Sequence, residues 1–222
     1  PNNGENAANP SPNRIAARLQ RMSDSEQAND DENLLDSRAV AAAAHRSIVM
    51  VGLMGAGKSS IGRRLATRLE MPFADADMEI EAAAGCTITE FFARHGEVEF
   101  REGERRVIAR LLEGAPIVLA TGGGAFMDED TRAAVAKSGI SVWLRADLNT
   151  LVRRTALRNS RPLLNNADPA RSLEDLMKTR YPVYALADIT VESDDGPLDA
   201  TVARVVDALA AYNDQAEVAP AQ

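Results

Sequence analysis

The sequence predicts an α/β fold, a parallel sheet with helices on both faces. Two observations carry that expectation. Short apolar runs of strand length alternate with longer segments whose apolar residues recur every three or four positions, the pattern of β-α-β units. One of those runs leads directly into a glycine-rich loop that opens an amphipathic helix. Consecutive units of this kind build a parallel sheet through right-handed crossovers.

Each element follows from its residues. Ile48-Val49-Met50-Val51, closed by Gly52, reads as a strand buried on both faces. Ser59 to Glu70 has Ile61, Leu65 and Leu69 at four-residue spacing, one face of a helix. Pro72-Phe73-Ala74 is a short second strand. Phe100 to Leu112 is helical, with Val107, Ile108, Leu111 and Leu112 on one face. Ile117-Val118-Leu119-Ala120 is a third strand, followed closely by Gly122-Gly123-Gly124, and Ile140 to Leu144 a fourth. Leu173 to Tyr184 reads as a helix and Ile189 to Val191 as a short strand. Leu198 to Tyr212 closes the chain as a helix through Val202, Val205 and Leu209.

Composition narrows the function classes. The 222 residues are 45% hydrophobic and 26% charged, an ordinary globular balance. A net charge of −8 lacks the basic footprint of a nucleic-acid binder, so no nucleic-acid partner is expected. No apolar run reaches the roughly 18 residues a membrane span needs. The single cysteine, Cys86, excludes an internal disulfide and a cysteine-built zinc site, and fits a reducing cytoplasm. Residues 1–46 contain no aromatic residue and seven acidic ones, too little apolar surface to offset the entropy of ordering. They are expected to form a disordered tail, with short helical pieces at most around Ile15–Met22 and Leu34–Ala44. The acidic residues also argue against an organellar transit peptide. The folded domain is then 47–212, and 213–222 a second disordered tail.

The run Gly52-Leu53-Met54-Gly55-Ala56-Gly57-Lys58-Ser59 matches G-x-x-x-x-G-K-[ST] without a gap. Glycines let the backbone turn tightly and aim N–H groups inward, and the helix N-terminus adds partial positive charge where a phosphate sits. Lys58 can reach the β- and γ-phosphates and the Ser59 hydroxyl can ligate Mg²⁺. This makes Gly55, Ala56, Gly57, Lys58, Ser59 and Ser60 the candidate triphosphate-binding residues. It leaves the acceptor open, because GTPases, ATPases and small-molecule kinases share the loop. A GTPase would also want D-x-x-G after the third strand and N-K-x-D later, and neither occurs.

Further residues narrow the acceptor. In Asp75-Ala76-Asp77, on an extended segment, both carboxylates face one side at a strand's C-terminal end, where ligands bind in open α/β sheets. One suits the Mg²⁺ surroundings and the other a substrate hydroxyl. Arg101, Arg161 and Arg180 stand in polar or helix-opening contexts, and arginine suits two-pronged recognition of carboxylate or phosphate. Three glycines after the third strand permit close approach of a substrate to the main chain.

Taken together these residues resemble the shikimate kinase family over about residues 46–210. The resemblance lies in G-L-M-G-A-G-K-S-S-I-G at 52–62, F-A-D-A-D at 73–77, F-R at 100–101, L-A-T-G-G-G at 119–124, R-P-L-L at 161–164 and R-Y-P-V-Y-A-L-A-D at 180–188. It implies a three-layer fold like that of nucleoside monophosphate kinases, with a mobile lid at about 158–170. It also implies a cytoplasmic, monomeric enzyme that phosphorylates the 3-hydroxyl of shikimate with ATP and Mg²⁺. Carried over position by position, Asp77 accepts the hydroxyl proton, Arg101 and Arg180 hold the substrate carboxylate, and Gly123 meets the ring through its main chain. Asp75 stands in the outer coordination sphere of the metal, Arg161 reaches the phosphates from the lid, and Arg154 and the main chain near Gly196 flank adenine. Two residues depart from the pattern: Ser60 where threonine is frequent, and Tyr181 where asparagine is frequent, beside Arg180. Rival readings are another small-metabolite kinase of the same fold, such as a gluconate kinase, and a kinase-like module that binds nucleotide without catalysis. The second should have lost Lys58, Asp77 or an arginine, and none is missing.

Overall fold

The computed structural model describes residues 31–43, 45–156 and 168–218. Its centre is a five-stranded, fully parallel sheet in the order β2-β3-β1-β4-β5. The strands are β1 (Ser47–Val51), β2 (Phe73–Asp75), β3 (Val118–Ala120), β4 (Gly139–Arg145) and β5 (Ile189–Glu192). β1 lies in the middle, pairing Val49 with Leu119 of β3 and Val51 with Trp143 of β4. All residues of β1 and β3 are buried, which is why both read as unbroken apolar runs. β5 at the edge alternates, with Ile189 and Val191 inward and Thr190 and Glu192 outward.

The helices are α1 (residues 31–43), α2 (Lys58–Arg68), α3 (Ala76–Ala84), α4 (Ile88–Leu112), α5 (Glu129–Ser138), α6 (Leu148–Ala156), α7 (Pro169–Tyr184) and α8 (Leu198–Val218). From β1 the chain moves to β2 on one side, and from β3 it crosses to β4 on the other. Right-handed crossovers then place the connecting helices on opposite faces. α2 packs on α8 in one layer, and α4 on α5 in the other. The expected three-layer α/β architecture is the one observed.

The boundaries of the expected tails need correction. Residues 31–43 are helical, and Ala39 and Ala43, four apart on one face, are buried in the main core. Arg68 of α2 donates to Asp36 at 2.8 Å and pairs with Glu32, while Arg38 pairs with Asp214 of α8. Arg46 donates to the Tyr212 hydroxyl. Residues 31–43, 45 and 46 therefore belong to the folded unit; 1–30 and 44 lie outside the described residues. At the other end α8 continues to Val218, past the expected limit at 212. Of the lid expected at about 158–170, only the last three residues are described, and they belong to α7: Asp168 caps it, and Pro169 and Ala170 form its first turn. Residues 157–167 lie outside the described part.

Candidate active site

Two adjoining cavities open at the C-terminal ends of β1, β2 and β3. The first, about 260 Å³, is lined by Gly55, Gly57, Lys58, Ser59 and Ser60 of the loop after β1, with Asp75, Asp77, Thr121, Gly123, Arg154 and Leu198. The second, about 280 Å³, is lined mainly by Met54, Asp77, Phe92, Phe100, Arg101, Glu104, Arg180 and the three glycines. Asp77 and Gly123 line both.

The loop after β1 is built from its own sequence. Gly57, at φ 96°, caps α2 in the left-handed region, and a Cβ there would lie 2.9 Å from Ile61 Cδ1. Lys58 is buried and folds back over the loop, its Nζ donating to Gly52 O at 2.7 Å and Leu53 O at 3.0 Å. Ala56 is different from its neighbours. It is buried, its N–H donates to Leu53 O at 3.1 Å, and it does not line the cavity.

The two aspartates are brought together, but not by strand alternation. Asp75 ends β2, and Asp77 stands in the first turn of α3. Asp75 Oδ1 accepts the Asp77 N–H at 3.1 Å and so caps α3, while its Oδ2 accepts from Ser59 Oγ at 2.6 Å. One carboxylate thus ties the start of α3 to the start of α2, and the other faces the junction of the cavities.

On the second cavity's side, α4 bends at Gly96, whose φ of 80° breaks the helix into two segments. The C-terminal segment carries Arg101 and Glu104 on one face. Arg101 Nη1 donates to Glu104 Oε2 at 2.6 Å, and its other nitrogens reach Glu97 at 3.2 and 3.4 Å. Burial pushes the Glu104 carboxyl above its ordinary value, with Arg101 opposing the rise and the charge of Asp77 adding to it. Burial likewise works against the Arg101 charge, but Glu104 and Glu97 outweigh it and hold the guanidinium pKa above normal. The glycines make room for these groups. A Cβ on Gly124 would fall 2.4 Å from Arg101 Nη1, and one on Gly122 would fall 2.6 Å from Glu104 Oε1. Arg180 of α7 donates to Gly123 O at 2.9 Å.

Comparison with known proteins decides the family. A family model described as shikimate kinase matches residues 54–210. The chain belongs to the shikimate kinase family. A curated shikimate kinase from Paramagnetospirillum magneticum is 59% identical over 169 residues, covering 76% of this chain and 87% of that protein. One from Bradyrhizobium diazoefficiens is 56% identical over 178 residues, covering 79% and 86%. The structure of shikimate kinase from Acinetobacter baumannii in complex with shikimate superposes with TM-score 0.71 at 37% identity, covering 76% of this chain and 94% of that one. A gluconokinase from Sinorhizobium meliloti, at 20% identity and TM-score 0.55, shares the fold alone.

Of the residues that the shikimate kinase resemblance singled out, most converge on the two cavities. Arg154 lines the first, but it donates to Gly55 O at 3.2 Å, Ser193 Oγ at 3.0 Å and Asp194 O, so it braces the phosphate loop against the segment that follows β5. Burial lowers its pKa. Gly196 does not line the cavity. It is exposed, its N–H donating to Asp194 Oδ1 at 3.0 Å, and Leu198 takes that wall instead. Arg161 lies outside the described residues. Tyr181 turns its hydroxyl to Ala146 O and its ring onto Trp143, 5.0 Å between centroids, and burial pushes the phenol up to about 12. Sequence reasoning did not single out Glu104, Thr121 or Leu198. Glu104 carried a signal, a carboxylate one helical turn after Arg101. Thr121 stands between a buried strand and the glycines, its hydroxyl donating to Met50 O at 2.9 Å.

Proposed function

We propose that this chain transfers the γ-phosphoryl group of ATP to the 3-hydroxyl of shikimate, giving shikimate 3-phosphate and ADP, a step of aromatic amino-acid biosynthesis. The observation that carries the reading is the pairing of two cavities through Asp77. One is walled by a complete phosphate loop; the other holds two arginines from different helices. Shikimate offers a carboxylate for those arginines and a hydroxyl for Asp77. The neighbouring structure from Acinetobacter baumannii, described as a complex with shikimate, supports the same acceptor.

In the proposed mechanism, Lys58 leaves its loop carbonyls for the β- and γ-phosphates, which the N–H groups of Gly55, Gly57 and Ser59 cradle. Arg101 and Arg180 grip the acceptor carboxylate and fix the ring against the Gly123 main chain. Asp77 orients the 3-hydroxyl and takes its proton as the oxygen attacks the γ-phosphorus and the bond to ADP breaks. Little covalent help is needed, since positioning and charge neutralisation account for most phosphoryl-transfer catalysis. Ser59 Oγ and Asp75, 2.6 Å apart, form an oxygen-only donor set of the kind Mg²⁺ takes beside nucleotide phosphates. Ser59 would ligate the ion directly and Asp75 through an intervening ligand; when bound, the ion neutralises charge on the phosphates. Arg161 would add a further positive charge from the lid, closing the site to water.

The reading carries a monomeric, cytoplasmic enzyme with neither nucleic acid nor membrane as partner. No helix among the described residues is long and apolar enough to cross a membrane. The deciding experiment is ADP release, coupled to an indicator reaction, with shikimate, gluconate and nucleoside monophosphates offered in parallel. Release with shikimate at least a hundredfold above the others is expected. Equal release with gluconate, or none with any acceptor, would overturn the assignment.

A further inference from the structure

Tyr184 is the largest side chain that the described fold buries completely, yet it ends in a hydroxyl. A buried phenol needs hydrogen-bond partners, and the ones it has are informative. It donates to Gly123 O, the carbonyl that also accepts Arg180 Nη1 at 2.9 Å. Arg180 and Tyr184 stand four residues apart on α7, so one helix face delivers both. Hydroxyl and guanidinium therefore converge on one carbonyl of the glycine loop. The ring is held in place by Trp143, at 6.0 Å between centroids, and by Tyr181, at 6.1 Å. Burial keeps the phenol protonated at neutral pH, and so a donor to the carbonyl.

We infer that Tyr184 is a positioning residue for the acceptor: its hydroxyl sets where the Gly123 carbonyl and the Arg180 guanidinium lie relative to each other. It touches neither reacting atom. This inference rests on the reading that Arg180 grips the acceptor carboxylate. Without the hydroxyl, the Gly123 carbonyl loses one of its two side-chain donors, and the acceptor that places the Arg180 fork is held less firmly. The loss falls on acceptor binding, not on the transfer step.

The test is Tyr184→Phe, which keeps the buried ring and removes one oxygen, with Tyr181→Phe as the matched control. Tyr181 belongs to the same aromatic cluster but spends its hydroxyl on Ala146 O. The KM for shikimate and kcat are read at saturating ATP, whose binding also raises the melting point of a weakened variant by mass action, and the KM for ATP at saturating shikimate. Tyr184→Phe is expected to raise the KM for shikimate on the order of tenfold, the scale of one buried hydrogen bond. Its kcat and its KM for ATP should stay within about threefold on the same scale. Tyr181→Phe should leave all three unchanged. In an Arg180→Lys background, Tyr184→Phe should add less than about twofold, since coupled residues are not additive. An unchanged shikimate KM in Tyr184→Phe, or an equal rise in Tyr181→Phe, overturns the inference. If Arg180→Lys itself leaves the shikimate KM unchanged, the underlying reading of Arg180 fails instead. A Tyr184→Phe chain that does not fold even with ATP would make the hydroxyl a requirement of the fold and overturn the positioning role too.

Discussion

In the proposed mechanism the chemistry turns on Lys58 and Asp77, and their surroundings say how each should fail. Lys58 is buried against two carbonyls of its own loop, a resting place that holds the ammonium beside the phosphate cavity. Lys58→Ala should reduce kcat on the order of 10²–10³-fold or more, the loss found when one preorganised charge stabiliser is removed. Circular dichroism should show the fold intact, and substantial residual turnover with shikimate and ATP would refute the role. Asp77 lines both cavities, and its N–H is held by the Asp75 cap, so its place does not depend on its charge. Asp77→Asn preserves shape and removes the proton acceptor. Turnover should fall roughly 10²–10⁴-fold while the KM for ATP changes little. A fall of less than about tenfold would make Asp77 a residue that only orients the hydroxyl.

At the scale of elements, α1 makes its own prediction. It buries Ala39 and Ala43 against the core and ties α2 to α8 through Arg68 and Arg38. Removing residues 1–44 should lower the melting temperature by roughly 4–10 °C, from lost apolar burial and a minor share from exposed ion pairs. Well below that temperature kcat and both KM values should be nearly unchanged, because no α1 residue lines either cavity. Calorimetry of the truncated chain showing no shift would mean that α1 contributes nothing to stability. The sequence offered a helical piece at Leu34–Ala44 but hid its packing, because the buried face is made of alanines, which carry a weak apolar signal. Small or mixed buried faces likewise hid α3, α5 and α6: α5 buries only Thr131 and Val135, and α6 buries Thr150, Leu151 and Thr155. Their starts are fixed by side-chain caps rather than by apolar pattern: Asp75 caps α3, Asp128 caps α5, and Asp147 accepts the Thr150 N–H at the start of α6. The strands and α2, α7 and α8 were legible because large aliphatic residues fill one face of each. The phosphate loop was legible because its glycines and lysine serve the ligand rather than the core. Glu104 was not, because a buried carboxylate is visible only once its arginine has been placed beside it.

The whole molecule divides the labour between its layers, and that division can be tested. In the proposed reading the nucleotide side belongs to β1 and α2, whose junction forms the phosphate loop; the acceptor side belongs to α4 and α7, which supply Arg101 beside Gly124 and Arg180 beside Gly123. Only Asp77 and Gly123 line both cavities. Changes on α4 and α7 should therefore damage acceptor use and spare ATP. Arg101→Lys and Arg180→Lys keep the charge but lose the planar fork. Each should lower the specificity constant for shikimate roughly 10- to 100-fold, the scale of one charge-assisted hydrogen bond, with the KM for ATP within a few-fold. Arg101→Lys should be the more damaging of the two to stability, because it also leaves the buried Glu104 with a poorer partner; Arg180 leaves behind a carbonyl to which Tyr184 still donates. An acceptor analogue without the carboxylate should be a poor substrate of the unmodified enzyme and should lose little more with either variant. If both variants lose equally with and without the substrate carboxylate, the two arginines support the fold rather than the acceptor. The separation of nucleotide and acceptor layers would then be wrong at its acceptor half, while the phosphate-loop half would stand on the Lys58 result alone.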